Sequence, residues 1–250
     1  MRVISFKLWG DFAHFRRHYT TSSPLTHSIP PPSALRGIIA AILGLGREEY
    51  PQILSPENAK IGVRLLNPVK KIRLGVNYMD TKDGSWVQID FKKFRPVVKS
   101  DGHGNPRLHT QIRMEFIKDP AYEIFFHHKD DALSDDLSSR LKGHRSVYTP
   151  YLGISECIAN FEFEWDEDVK PAKGFSHLVS AVLVSDLKEF KLQDDTGIVK
   201  ERIPLFINSE RVRIESGEIL FNPYAKTILA NVDGAMIYPG TEDSAFSFIG

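Results

Sequence analysis

Apolar and polar side chains alternate from Arg2 to Trp9 with the period of a half-buried strand. A polar, aromatic and basic stretch from Gly10 to Pro32 follows. Leu35, Ile38, Ile39, Ile42 and Leu43 then recur with the spacing of one helix face, predicting a helix from about Ser33 to Leu43. Pro30, Pro31 and Pro32 hold the chain extended before it, and the Ser33 hydroxyl can accept from an unpaired amide of the first turn. Gly44 and Gly46 end it.

Further along, Lys60 to Leu66 and Val69 to Met79 carry strand patterns, the second with Lys70, Lys71 and Arg73 interleaved. Asp83-Gly84 and Asp101-Gly102 are turn signals among Trp86 to Phe94, Pro96 to Val98 and Leu108 to Phe116. They predict a hairpin arm, roughly Tyr78 to Arg113, rather than a core unit. Tyr122 to Phe126 reads as a central strand and Ala132 to Leu141 as a helix opened by Asp130 or Asp131. Ile158 to Trp165 reads as a strand with one apolar and one acidic face. Strand, helix, strand, then strand, helix, strand predicts an α+β, ferredoxin-like sandwich. The acidic run Glu164, Asp166, Glu167, Asp168 with Lys170 and Pro171 reads as a loop, and beyond it the segments Leu178 to Val184, Ile203 to Ile207, Val212 to Ile219 and Met236 to Tyr238 predict short strands. The expected organisation is a domain over 1–165, with the arm inserted at about 78–113, and a smaller, mostly β region over 166–250.

Charge adds a direction to this picture. Lys and Arg balance Asp and Glu at 32 each, yet residues 1–130 hold 20 cations against 12 carboxylates and the remainder holds 12 against 20. Such asymmetry points to a nucleic-acid partner for the leading half and a basic protein neighbour for the trailing one. The competing reading is that the two halves neutralise each other across an internal interface. Cys157 is the only cysteine, so no disulfide and no cysteine-ligated zinc site can form within one chain, as fits a reducing cytoplasm. No apolar run approaches membrane-spanning length, and neither a GxxxxGK phosphate loop nor HExxH occurs. No cofactor, metal or membrane partner is therefore expected.

The helix start does suggest chemistry. It joins amide donors, a partial positive charge, the Ser33 hydroxyl and the Arg36 guanidinium, a set suited to phosphate, although an ordinary capped core helix would look similar. Just upstream lie Phe15, Arg16, Arg17, His18 and Tyr19.

These residues resemble the CRISPR-associated RAMP proteins of the fifth Cas family, subunits of type I Cascade effectors. The resemblance rests on the opening strand with Gly10, Phe15 and Arg16, and on the block from Thr26 through Pro30-Pro31-Pro32-Ser33-Ala34-Leu35-Arg36-Gly37 to Gly44. Tyr151-Leu152-Gly153-Ile154-Ser155-Glu156 supports it. Membership implies a ferredoxin-like or RNA-recognition-like domain with a thumb hairpin, here about Tyr78 to Arg113, and a small C-terminal β part. It also implies an antiviral role: capping the repeat-derived 5′ handle of CRISPR RNA beside the backbone and large subunits, with target DNA near the PAM as a further partner.

A bent single strand needs cations for phosphates and planar or polar groups for bases. Phosphate contacts are expected from Arg16, Arg17, Ser33, Arg36, Lys92, Lys93 and Arg107, and stacking or base reading from Tyr19, His109 and Gln111. Trp86 is a weaker stacking candidate, and Gly153 would permit close backbone approach unless it is a plain turn glycine. Two rival functions stand beside this one. Some relatives cleave precursor RNA without metal, and histidines at 14, 18, 103, 109, 127 and 128 are potential acids or bases, though no spacing singles out a pair. Alternatively the chain is chiefly a protein scaffold.

Overall fold

The computed structural model describes residues 1–18, 20, 23–78, 88–90, 95–97, 110–191 and 197–250. In chain order the leading elements are β1 (Arg2–Trp9), β2 (Phe12–Ala13), α1 (Pro32–Leu43), α2 (Tyr50–Ile53), β3 (Ala59–Leu65), β4 (Lys71–Tyr78), β5 (Gln88–Asp90) and β6 (Arg95–Val97). They continue with β7 (Thr110–Lys118), β8 (Ala121–His128), α3 (Asp131–Lys142) and β9 (Asn160–Asp168). The trailing strands are β10 (Phe175–Leu178), β11 (Val182–Leu183), β12 (Leu187–Lys191), β13 (Val199–Ile207), β14 (Arg213–Phe221), β15 (Ile228–Val232), β16 (Met236–Ile237) and β17 (Ser244–Phe246).

Strand β1 is central and, against the half-buried pattern of its sequence, is covered on both faces from Val3 to Phe6. It lies between β8 and β9 in a four-stranded sheet of order β3-β8-β1-β9, with every neighbour antiparallel. α1 connects β1 to β3, and α3 connects β8 to β9, giving the α+β element order read from the sequence. Ile4, Phe6 and Leu8 of β1 join Ile124 and Phe126 of β8 in the main core with Leu35, Ile39 and Ile42 of α1 and Leu137 and Leu141 of α3. Each large apolar side chain fully buried in this way contributes about 1.5–3 kcal/mol. Val3 and Phe125 point to the opposite face and pack with Trp165, Tyr238 and Phe246. There the rings of Phe125 and Phe246 stack with centroids 4.2 Å apart. A Cβ at Gly62 would come within 2.6 Å of the Ser247 carbonyl oxygen, so the C-terminal segment lies against β3 only because position 62 has no side chain.

The helix α1 begins one residue before the predicted start. Pro31 is its N-cap and Pro32 its first residue, a position where the missing N–H costs nothing. The amides of Ala34 and Leu35 already bond the Pro31 carbonyl, so Ser33 is not needed as a cap; its hydroxyl donates to the Pro204 carbonyl at 3.3 Å. The predicted stop holds, since Gly44 adopts φ 82°. α3 starts as predicted, with the Asp130 carboxylate accepting from the Ala132 amide at 2.9 Å. The expected strand from Leu178 to Val184 is two strands, β10 and β11, that enter different sheets.

Between β3 and β8, the strands β4 and β7 pair from Lys71↔Ile117 to Tyr78↔Thr110, while β5 and β6 form a short ladder of their own. Most of the predicted arm lies outside the described residues. The hairpin of β13 and β14 contributes Ile203, Leu205, Ile219 and Phe221 to the same core as α1. β12-β15-β10-β17-β16 form a further sheet around Leu178, Ile228, Ala230 and Ala245. Among the described residues no helix is long and apolar enough to cross a membrane.

Candidate functional site

The face of α1 that turns away from the sheet carries Ala34, Gly37, Ile38 and Ala41 and forms the floor of a groove of about 710 Å³. Small residues at three of these four positions keep the floor low. Among the described residues Gly37 meets nothing closer than 3.9 Å, the Tyr50 hydroxyl, at the place its Cβ would occupy, so none of them requires a glycine there. A glycine inside a helix costs roughly 0.5–1 kcal/mol relative to alanine.

Three segments wall the groove. The α1–α2 connection supplies Arg47, and α2 supplies Tyr50. The segment before β9 supplies Tyr148 and Tyr151, which are 57% and 46% exposed. It is held by Val147 and Tyr148 amides bonded to the Ile42 and Ala41 carbonyls at 3.3 and 3.0 Å. The turn between β13 and β14 supplies Arg211, a non-glycine residue with φ 64°. Its Nη1 donates to the Tyr50 hydroxyl at 2.7 Å, its Nη2 donates to the Arg47 carbonyl at 3.3 Å, and its guanidinium carbon lies 5.3 Å from the Tyr50 ring centroid. The lining thus presents three tyrosines and two arginines with no carboxylate among the described residues. Aromatic faces can stack unpaired bases and guanidinium groups can hold phosphates, so the groove suits a single-stranded nucleic acid.

The family described as CRISPR-associated protein (Cas_Cas5) matches residues 3–221. The chain belongs to this Cas5 family. No curated protein sequence matches it. Among solved structures, a CRISPR protein from Archaeoglobus fulgidus aligns with TM-score 0.52 and 16% identity, covering 96% of this chain and 97% of that one. A chain of a CRISPR RNA-guided surveillance complex aligns with TM-score 0.51 and 15% identity, over 96% and 95%. A chain of a type III-B Cmr-β complex bound to cognate target RNA and AMPPnP aligns with TM-score 0.50 and 11% identity, over 98% and 99%. The likeness to each is one of fold.

Within this Cas5 fold, two of the sequence-predicted site residues, Ser33 and Gly153, line the groove. Gly153 is required by its own protein: at φ 96°, a Cβ would lie 2.0 Å from the His14 carbonyl oxygen, so the RNA-approach reading of this glycine gives way to a turn packed on the His14 backbone. Arg36 is a correction. It sits on the other side of α1, 1% exposed, where Nε donates to the Leu54 carbonyl at 2.6 Å and Nη1 to the Leu205 carbonyl at 2.8 Å. Burial pushes its pKa down to about 10, and a phosphate cannot reach it. Arg17 is a second correction, because its Nη2 pairs with the Glu201 carboxylate at 2.9 Å and its Nε bonds the Thr26 carbonyl. These contacts favour the reading in which basic and acidic halves neutralise each other internally. Arg16 is exposed, bonded to the Thr20 carbonyl and away from the groove lining. Gln111 is exposed on β7. Tyr19, Lys92, Lys93, Arg107 and His109 lie outside the described residues.

Sequence reasoning missed Arg47, Tyr50, Tyr148, Tyr151 and Arg211 as site residues. Tyr148 and Tyr151 flank Pro150 just before Gly153, and that aromatic spacing in an otherwise polar stretch was the available signal. Arg211 gave none, since only the fold brings the β13–β14 turn to α2. None of the described histidines lines the groove. His14 is buried, its Nδ1 2.7 Å from the Glu115 carbonyl, and burial lowers its pKa. His127 and His128 bond the Arg2 and Ile53 carbonyls.

Proposed function

We propose that this chain is the CRISPR effector-complex subunit that holds the 5′ repeat-derived handle of the guide RNA, with the handle seated in the α1 groove. The observation that carries the reading is the joint placement of Tyr148, Tyr151, Arg47 and the Tyr50–Arg211 pair around the low floor at Gly37. Bases of a bent strand would stack on the exposed tyrosines, and phosphates would run past Arg47 and Arg211. Family membership supports the class of partner, and the fold relative from a CRISPR RNA-guided surveillance complex supports assembly with other subunits, which on this reading are the backbone and large subunits.

Fluorescence anisotropy with a handle-sequence RNA tests it. Base–aromatic stacking is worth about 1–3 kcal/mol per base, so Tyr148→Ala with Tyr151→Ala should weaken binding at least roughly tenfold. Unchanged affinity would remove the groove from the RNA path, whereas a wild type that binds no handle RNA would leave the scaffold reading.

A further inference from the structure

We infer that Gly37, Tyr50 and Arg211 form a base-reading subsite in the α1 groove, selective for the carbonyl-bearing bases uracil and guanine over cytosine and adenine. The subsite rests on the strand path proposed above and adds which edge of a nucleotide is read, and by which atom. Its floor is Ala34, Gly37 and Ala41, which recur on one helix face and are half-buried lining residues of the groove. The Tyr50 hydroxyl lies 3.9 Å from the place of a Gly37 Cβ, so it borders the recess left by the missing side chain at van der Waals distance. A planar ring laid flat on this floor would meet the hydroxyl at its edge.

Arg211 decides how that oxygen acts. Its Nη1 donates to the Tyr50 hydroxyl at 2.7 Å, so the phenol is the acceptor in this bond and its own proton is left for another partner. Among the described residues no acceptor takes that proton. Arg211 is itself held in place: Nη2 donates to the Arg47 carbonyl at 3.3 Å, and the guanidinium carbon lies 5.3 Å from the Tyr50 ring centroid. It occupies φ 64°, a region sparsely populated by residues that carry a side chain.

This corner of the groove therefore offers donors: the Tyr50 O–H and the remaining guanidinium N–H groups of Arg211. Its acceptors are engaged, the hydroxyl oxygen by Nη1 and the Arg47 carbonyl by Nη2. Guanine O6 and the O4 of uracil are acceptors, whereas adenine and cytosine carry an amino group, a donor, at the corresponding positions. An amino group pressed against donors loses its water and gains no partner, so the subsite selects by rejecting amino bases as much as by pairing with carbonyl ones. Tyr50 is the reading residue and Arg211 the positioning residue that keeps its proton pointed at the ligand.

The test titrates the full-length protein with labelled oligouridine and oligocytidine of about 8 nucleotides each and reads anisotropy. Equal ring size removes stacking area as a cause of any difference. Wild type should prefer oligouridine about tenfold, the effect of one donor satisfied rather than left unpaired. Tyr50→Phe should bring the two affinities to within about twofold of each other and leave that for oligocytidine unchanged. Arg211→Ala keeps the hydroxyl but frees its proton to turn; both strands should weaken, and the preference should again disappear. Gly37→Ala, which no described neighbour opposes, should reduce the preference without lowering the thermal midpoint. A wild type that binds the two strands equally, or a preference retained in Tyr50→Phe, overturns the subsite. The Tyr148→Ala, Tyr151→Ala pair separates this inference from the stacking assignment and should weaken both strands with their ratio intact. Weakening there without any wild-type preference defeats the subsite alone. Full affinity there, with a preference that still needs Tyr50, defeats the stacking assignment alone. A wild type that binds neither strand defeats both.

Discussion

The Arg36 guanidinium donates to the Leu205 carbonyl at 2.8 Å, which ties the first turn of α1 to β13 across 169 positions of sequence. A buried cation bonded to carbonyls is a structural clamp, and its second terminal nitrogen, Nη2, has no hydrogen-bond partner among the described residues. Removing the side chain would strand the Leu54 and Leu205 carbonyls and open a cavity. Arg36→Ala should therefore destabilise the fold by about 2–4 kcal/mol in denaturant titration. RNA affinity of the folded fraction should be unchanged. A stable variant with weakened RNA binding would return Arg36 to the phosphate role.

Two glycines that share a positive φ should respond very differently to substitution. At Gly153 a new Cβ would collide with the His14 carbonyl oxygen, whereas at Gly174, with φ 71°, nothing lies within 4 Å. Gly174→Ala should cost about 1 kcal/mol from backbone strain alone. Gly153→Ala should cost clearly more and displace the Tyr148–Tyr151 wall, lowering both the thermal midpoint and RNA affinity. Equal midpoints for the two variants would refute the close-approach argument.

Acid sensitivity should centre on Glu201. Burial raises its pKa, but His27 at 2.7 Å, the Ser28 amide and Arg17 outweigh that and hold it down at about 2, against an ordinary value of 4.5. A carboxylate depressed in the folded state contributes its stability above the unfolded pKa and loses it as pH falls through the folded one. The loss should therefore run from about pH 4.5 to about pH 2 and amount to about 3 kcal/mol. Glu201→Gln should flatten this limb of the stability–pH curve while lowering stability at neutral pH. A wild-type limb retained in the variant would assign the acid loss to other carboxylates.

Repeat RNA incubated with the purified protein in chelator should be recovered uncut. The role proposed above is to hold the handle, and holding leaves every phosphodiester bond in place. One defined cut, read on a denaturing gel, would replace holding by processing.

Elements with a strong local period were legible in the chain. β1, α1, the β4–β7 pair, β8, α3 and β9 follow from alternation, a helical stripe and caps at Gly44 and Asp130. β12 and β15 were not seen, because five-residue stretches such as Ile228–Val232 carry too few turns of the pattern to stand out. The site was legible only in part. The block from Pro30 to Gly37 did mark the helix that floors the groove, but sequence cannot tell which side of a helix a cation occupies when β13 arrives from residues 199–207. Arg36 fell on the buried side for that reason. Arg211 reached the groove through the same hairpin, and periodicity within α1 carries no information about it.

Helix α1 is gripped by the central sheet, by α3 and by the β13–β14 hairpin, and among the described residues the side bearing Gly37 lines an open groove. Such a helix has little room to tilt or slide. On the handle reading proposed above, the surface is accordingly set before the RNA arrives, so the strand would conform to the protein and sequences that bend readily would be favoured.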